Sequence, residues 1–541
     1  MIDKFWNLRR LSFGLAGLLA GALLALAPGT SIAEGLSCME LSGPGLFSNT
    51  QVHRVSVATT RGGARYCKVE GVIAPTPVSS ITVVYRLPFK AKWNGRLLGL
   101  GGGAFGGVLN FSPNAGERFI GRGYAVAASD SGHAGKPDQA DWALKPDGTP
   151  NRDAVIDYAH RAIHLMTVVA KQVIRAYYGK PQRYAYYEGC STGGRMGLVE
   201  VQRYPHDYDG VVVGAPVMHL SRVTTTGIWQ GRAFHGADAV TPSPAQLSNL
   251  SKAVLAACDA DDGVTDGVLN DPTQCDWDPA QLACESSGAD QCLGPGELAA
   301  VKKIYSGPTT SDGEPLFVGV PPGGEEKWGS WLFAGDMGSF GSAYGLAAQY
   351  MRFFVFQNPD FDPMARFDFD RDVATVQSSL IGVTADAVDP DIRPFIESGG
   401  KLIMHHGWGD MLVPALRTAD YYEEIVDTIG PALSTAGEPA ADAGALEAVR
   451  AHARLFMVPG TYHCSGGPGA FWFDPMPAIE DWVENGVAPD RIVATHPSSG
   501  PNDPAFTRPL CPYPELAQYI GPPDDPVAVK LASNFECVEP D

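Results

Sequence analysis

The chain has 541 residues, is 45% hydrophobic and 18% charged, and carries a formal net charge of −20. That length suits a large core plus an insertion, not one small domain. So acidic a chain repels nucleic acid and anionic membrane, which argues against both as partners.

Residues 1–33 read as a secretory signal. Lys4, Arg9 and Arg10 precede an apolar run from Leu11 to Ala27, and Ser31-Ile32-Ala33 offers small residues for cleavage after Ala33. A membrane anchor is the competing reading, but the run is short for a span and a processing site follows it. Arg9-Arg10 hints at twin-arginine export, although Ser12 and Phe13 fit that pattern poorly. Losing Asp3, Lys4, Arg9 and Arg10 takes the charge from −20 to −22. The mature protein is expected in the periplasm or outside the cell, with no membrane attachment.

Ten cysteines, all after the signal, suit an oxidising compartment. Local spacing suggests Cys38–Cys67, Cys258–Cys275, Cys284–Cys292 and Cys511–Cys537. Cys190 and Cys464 are left over.

From about residue 80 the chain alternates strand and helix. "ITVVYRLPF", "RLLGL" and "GYAVAASD" read as strands, and 155–178 as a long helix with Ala162, Met166, Val169 and Val173 at helical spacing. "RYAYYE" is a strand running into a Gly-Cys-Ser turn, a helix follows from Gly194 to Tyr204, and "GVVVG" is the next strand. The alternation stops over residues 217–389, which are rich in Gly, Pro, Asp and aromatics. It returns with "KLIMHHG", a helix over 417–428, "RLFMVPG" and a helix in "MPAIEDWVENG". This predicts one α/β core with a mostly parallel sheet, built from 34–216 and 390–541, and a lid inserted over 217–389.

Gly189-Cys190-Ser191-Thr192-Gly193 fits G-x-S-x-G, and it lies where that motif must lie, between a strand and a helix. A serine needs a base and an orienting acid to become nucleophilic. Asp410 follows the strand "KLIMHHG" and His463 follows "RLFMVPG", in the order Ser, Asp, His, both at carboxyl ends of strands. His405 and His406 compete for the base but precede the acid and read as packing or rim residues. Asp420 competes for the acid but falls inside a helix. A Cys190–Cys464 bond would hold Ser191 beside His463, with Cα atoms about 5.5 Å apart. The first oxyanion donor is expected to be the Thr192 N–H. The second is expected from Gly102 or Gly103 in "LGLGGGAFGG", a loop without the Lys-Ser/Thr of a phosphate loop.

"CDADDGVTDGVLND", 258–271, sets five aspartates in a cysteine-bracketed loop. Hard oxygen ligands at that density suggest calcium, from the Asp259, Asp262 and Asp266 side chains and the Val264 and Val268 carbonyls. It is not an EF-hand, because Gly263 falls at the fifth ligand position and no Glu closes the loop. A solvated acidic turn is the alternative.

Cys190-Ser191, Asp410 and His463-Cys464 resemble the "CS-D-HC" signature of the tannase and feruloyl esterase family, which includes mono(2-hydroxyethyl) terephthalate hydrolases. "WNGRLLGLGGG", "SDSGHAG", "YEGCSTGGRMGLVEVQRYPHDYDGVVVGAP", "HHGWGD" and "YHCSGG" look like family blocks across most of the mature chain. The resemblance implies an α/β-hydrolase core, a lid after the nucleophile half, a calcium ion in the lid, and a disulfide joining the catalytic loops. It also implies a small ester substrate with an aromatic acyl part. Arg352, Phe353, Phe354, Trp328 and Trp331 are candidate substrate contacts in the lid, as a carboxylate clamp and ring-stacking faces. Two other functions compete with the ester hydrolase: a catalytically silent polyphenol- or carbohydrate-binding protein on the same fold, and an exported serine peptidase.

Overall fold

Nine strands form one sheet in the order β1-β2-β3-β5-β4-β6-β7-β8-β9. They are β1 Thr50–Thr59, β2 Arg65–Ile73, β3 Ile81–Pro88, β4 Arg96–Leu100, β5 Ala125–Ser129, β6 Tyr184–Cys190, β7 Gly210–Gly214, β8 Lys401–Gly407 and β9 Ala453–Val458. The first three join antiparallel at one edge. From β5 through β4, β6, β7 and β8 to β9 every pairing is parallel. In the computed structural model the described residues are 35–109, 113–237, 239–284, 291–332, 343–434, 442–500, 503–522 and 525–540. The expected signal lies outside them.

Alternation along each central strand divides its side chains between two cores. On β4, Leu97 faces one core and Leu98 the other; on β8, Leu402 and Met404 oppose Ile403. Helices Ala162–Tyr178 and Leu416–Leu433 cover the first face, and Pro113–Gly121 and Met476–Asn485 cover the second. A sheet buried on both faces explains why the parallel strands read as apolar runs.

The helix expected over 155–178 is one helical run from Arg152 to Tyr178, interrupted by a π turn at Asp157–Arg161. A π turn frees carbonyls from the regular ladder. Here buried Arg195 donates to the carbonyls of Ala159 (2.7 Å) and Tyr158 (3.1 Å), and also to Ala385 in the inserted segment (3.3 Å).

The segment between β7 and β8 is helical and irregular, with no strand among its described residues. Its side chains form apolar cores of their own, one around Leu250, Val301 and Trp328, another around Tyr350, Phe354 and Ile381 that also takes in Phe105 and Tyr158. Residues Gly35–Asp541 form one compact unit. After β9, two hairpins follow, β10 Ile492–His496 with β11 Phe506–Leu510, and β12 Leu516–Tyr519 with β13 Phe535–Val538. The disulfides are Cys38–Cys67, Cys190–Cys464, Cys258–Cys275, Cys284–Cys292 and Cys511–Cys537, and no cysteine is free.

Candidate active site

Ser191 closes the turn between β6 and the helix Thr192–Arg203, with φ +62°. A non-glycine residue in that region is strained, and the strain raises the hydroxyl clear of the sheet. The turn tolerates only glycine on either side. A Cβ on Gly189 would lie 2.6 Å from the Gly193 carbonyl, and one on Gly193 would lie 2.8 Å from the Gly102 oxygen.

Three strand-end loops converge there. His463 Nε2 lies 2.9 Å from Ser191 Oγ, and His463 Nδ1 lies 2.6 Å from Asp410 Oδ2. The other Asp410 oxygen accepts from the N–H groups of Leu412 (2.9 Å) and Val413 (3.0 Å). Asp410 is fully buried. Burial by itself would raise its pKa, but the neighbouring His463 charge and the hydrogen bonds from His406 and His463 outweigh it and hold the carboxyl well below its usual range. It is therefore an ionised acceptor for the His463 Nδ1–H.

The Cys190–Cys464 bond spans 274 residues and holds its Cα atoms 6.1 Å apart, immediately beside Ser191 and His463. On the oxyanion side, Thr192 opens its helix, so its N–H has no intrahelical acceptor. Its hydroxyl donates to the Ala104 carbonyl at 2.8 Å, and Tyr158 Oη donates to the same oxygen at 3.0 Å. The first bond pins the glycine loop to the nucleophile turn and the second pins it to the π turn Asp157–Arg161. Gly102 lines the cavity at Ser191. Gly103 is buried and does not line it.

The cavity holds about 540 Å³. Of the five expected substrate contacts, Trp331 alone lines it, edge-on to His463 at 6.1 Å. The other four require correction. Trp328 is fully buried in a core of the inserted segment against Phe234 and Tyr305. Phe354 is buried against Phe105 and Tyr158. Phe353 packs on the same cluster, and Arg352 donates to the Phe361 carbonyl at 2.8 Å. Arg352, Phe353 and Phe354 belong to the π turn Tyr350–Val355 and Trp328 to the helix Trp328–Trp331, and both elements pack into apolar cores of the inserted segment.

His406, read from the sequence as packing, does more. It is fully buried, its Nε2 lies 3.1 Å from Asp410 Oδ2 and its Nδ1 lies 2.8 Å from Thr418 Oγ1. The adjacent histidines four and five residues before the acid were the available signal. His405 lines the cavity, and burial, with the nearby His406 charge, lowers its pKa to about 4.

In the acidic loop, the Asp259 carboxylate accepts from the N–H groups of Asp266, Gly267 and Val268. Asp262 accepts from the Val264 N–H, and Asp266 from the Val268 N–H. Burial, and then repulsion from Asp266 and Asp259, push the Asp262 pKa up to about 7. Arg508 pairs with Asp266 and meets part of this excess negative charge. The all-oxygen donor set and the unmet demand for positive charge fit a hard dication. Among the described residues, ligand atoms that already converge within 4.8 Å belong to His164, Glu200 and Asp207 instead. There His164 (2.6 Å) and Lys171 (3.5 Å) already pair with Asp207.

A model of the tannase and feruloyl esterase family matches residues 67–538. The chain is 32% identical to a mono(2-hydroxyethyl) terephthalate hydrolase of Piscinibacter sakaiensis, over 88% of this chain and 85% of that one. It is also 32% identical to a probable feruloyl esterase of Arthroderma benhamiae, over 87% and 86%. The crystal structure of feruloyl esterase B from Aspergillus oryzae superposes with a TM-score of 0.74 at 25% identity, over 91% of this chain and 97% of that one. With its nine-stranded sheet of the α/β-hydrolase type, this chain is a carboxylic ester hydrolase of the tannase and feruloyl esterase family.

Proposed function

We propose that this protein is an exported serine esterase that hydrolyses esters of aromatic acids through an acyl-enzyme. The observation that carries the mechanism is the unbroken chain from Ser191 Oγ to His463 (2.9 Å) to Asp410 (2.6 Å). His463 Nε2 takes the hydroxyl proton as Ser191 Oγ attacks the ester carbonyl. The tetrahedral oxyanion lies against the Thr192 and Gly102 N–H groups. As the intermediate collapses, the imidazolium returns its proton to the departing alcohol. Water then attacks the acyl-enzyme with His463 as base, and Asp410 fixes the imidazole tautomer throughout.

The aromatic preference is supported by Trp331, Phe471 and Phe473 in the cavity wall and by the names of the relatives. Export is supported by the signal-like residues 1–33 and by five disulfides. A calcium ion held by Asp259, Asp262, Asp266 and the Val264 and Val268 carbonyls would supply charge neutralisation and a structural cross-link, and no step of the hydrolysis passes through it. The intact triad counts against a silent binding protein.

The test is a panel of methyl gallate, methyl ferulate, chlorogenate and a terephthalate monoester, with Ser191→Ala as control. Turnover of at least one aromatic ester, lost by several orders of magnitude in the variant, is expected. A p-nitrophenyl acetate burst equal to the enzyme concentration reports the acyl-enzyme. Absence of turnover across the panel, or a fully active Ser191→Ala, overturns the proposal.

A further inference from the structure

Glu188 stands three residues before the nucleophile and takes no part in the hydrolytic steps. It lies on the same face of β6 as Cys190, about 7 Å along the strand from it, and both line the cavity. Its backbone is fixed by the Gly101 N–H, which donates to the Glu188 carbonyl at 3.0 Å. Its side chain is 24% exposed. The carboxyl is poorly engaged: Oε1 lies 3.5 Å from Arg118, and Oε2 is buried with no hydrogen-bond partner among the described residues. Native structures rarely leave such a group unsatisfied without a reason. Burial, countered by Arg118 and reinforced by Asp474, pushes its pKa up to about 7.

His405, on β8 and in register with Gly214 and Cys190, lines the same cavity. The His405 ring rests over Gly214, where an added Cβ would come within 2.3 Å of it and 3.2 Å of Cys190 Sγ. Its ring nitrogens have no hydrogen-bond partner among the described residues, and Phe473 stands edge-on to it at 5.0 Å. Trp331, Phe471 and Phe473 supply aromatic walls to the same space. The cavity thus has aromatic walls and, on the nucleophile's own strand, a carboxyl whose hydrogen-bonding capacity is not used up.

We propose that Glu188 is the specificity-determining residue that receives a hydroxyl group on the aromatic ring of the acyl moiety, in the cavity that His405 also lines. The choice of a neutral hydroxyl follows from the charges. A carboxylate substituent would be repelled by ionised Glu188 and drawn to Arg86 or Arg118 in its place, so Glu188 would not be the group that holds it. An ammonium would meet Arg86 in the cavity wall and Arg118 behind Glu188. A hydroxyl donates to the ionised carboxyl and accepts from the protonated one, so it is bound in either state. A site built to bond a hydroxyl discriminates strongly against the analogue lacking it, because its polar group is then left unpaired.

This inference rests on the aromatic-ester reading, and the experiment separates the two. kcat/KM is measured for methyl 4-hydroxycinnamate and methyl cinnamate on the wild type, Glu188→Gln and Glu188→Leu, with folding checked by thermal unfolding. The wild type is expected to favour the hydroxylated ester by about tenfold or more. Glu188→Leu should bring the ratio to within about twofold, and Glu188→Gln, which keeps hydrogen-bonding atoms, should retain part of it. If Glu188→Leu fails to fold, the drop in the ratio for Glu188→Gln decides. A wild type that hydrolyses neither ester but turns over another ester of the panel overturns the specificity role, and one inert on the whole panel overturns the proposed function. A wild type active on both, whose ratio is unchanged in the variants or whose two rates fall together, overturns the specificity role alone. A ratio of chlorogenate to methyl caffeate that responds to Glu188, while the ring-hydroxyl ratio does not, places the recognised hydroxyl on the alcohol side and overturns the assignment.

Discussion

Asp410 shows how one buried carboxylate is kept charged. Removed from water, it would favour its neutral form. The charges and hydrogen bonds of two imidazoles, His463 and His406, reverse that preference. Asp410→Asn is expected to lower kcat by about four orders of magnitude, since the amide presents the wrong partner to His463 Nδ1. His406→Phe removes one donor without touching His463 and should cost about tenfold in kcat with little change in KM, read from Michaelis curves. Glu188 has the opposite balance. Its folded pKa of about 7 lies above the ordinary carboxyl value, so the folded state holds a proton that the unfolded state has released. Its contribution to stability is therefore full below the unfolded value of about 4.3 and lost as pH rises through about 7. Glu188→Gln should raise Tm relative to the wild type at pH 8, and the gap should close below pH 4.5. A gap of equal size at both pH values would contradict this.

At the scale of elements, the disulfide beside the triad ties the turn after β6 to the loop after β9. Replacing Cys190 and Cys464 together by serine frees the His463 loop. A displacement of about 1 Å can cost a hundredfold in rate. The double variant should lose kcat at temperatures where circular dichroism shows it folded. Non-reducing peptide mapping of the wild type should recover the Cys190–Cys464 peptide. The nucleophile turn, the acid and the base were legible in the sequence because each sits at the end of an apolar strand, where local pattern and chemistry coincide. The contacts in the lid were not. Trp328 and Trp331 are three residues apart, and only long-range packing decides that one fills a core and the other faces His463. Strand β1 escaped the pattern because none of its residues is fully buried, so it lacks the alternation that marks a covered strand. Gly102 and Gly103 are chemically identical, and only the course of the backbone after β4 brings Gly102 to the cavity wall.

At the scale of the molecule, the acidic loop is a junction. The Asp262 carbonyl accepts from Gln518 Nε2 at 2.8 Å, Arg508 pairs with Asp266, and an added Cβ on Gly460 would meet the Val268 side chain at 2.9 Å. The loop therefore joins the lid to the C-terminal hairpins and to the backbone just before His463. A metal that binds only the folded state stabilises it by mass action. Chelation of calcium should lower Tm first and reduce kcat only as the junction loosens. Elemental analysis of undialysed protein should find about one calcium per chain, and a metal-free protein with unchanged Tm would exclude the site. The bond between Cys190 and Cys464 also closes the chain on itself around the whole lid. Topologically the lid is an arc of a ring, not a flap on a hinge. A single protease cut within it, outside the loops closed by Cys258–Cys275 and Cys284–Cys292, opens the ring without separating the pieces. Ser191 would then belong to one fragment and Asp410 and His463 to the other, still joined by one covalent bond. Such nicked enzyme should run as one band without reductant and as two with it, and should keep its activity until the bond is reduced.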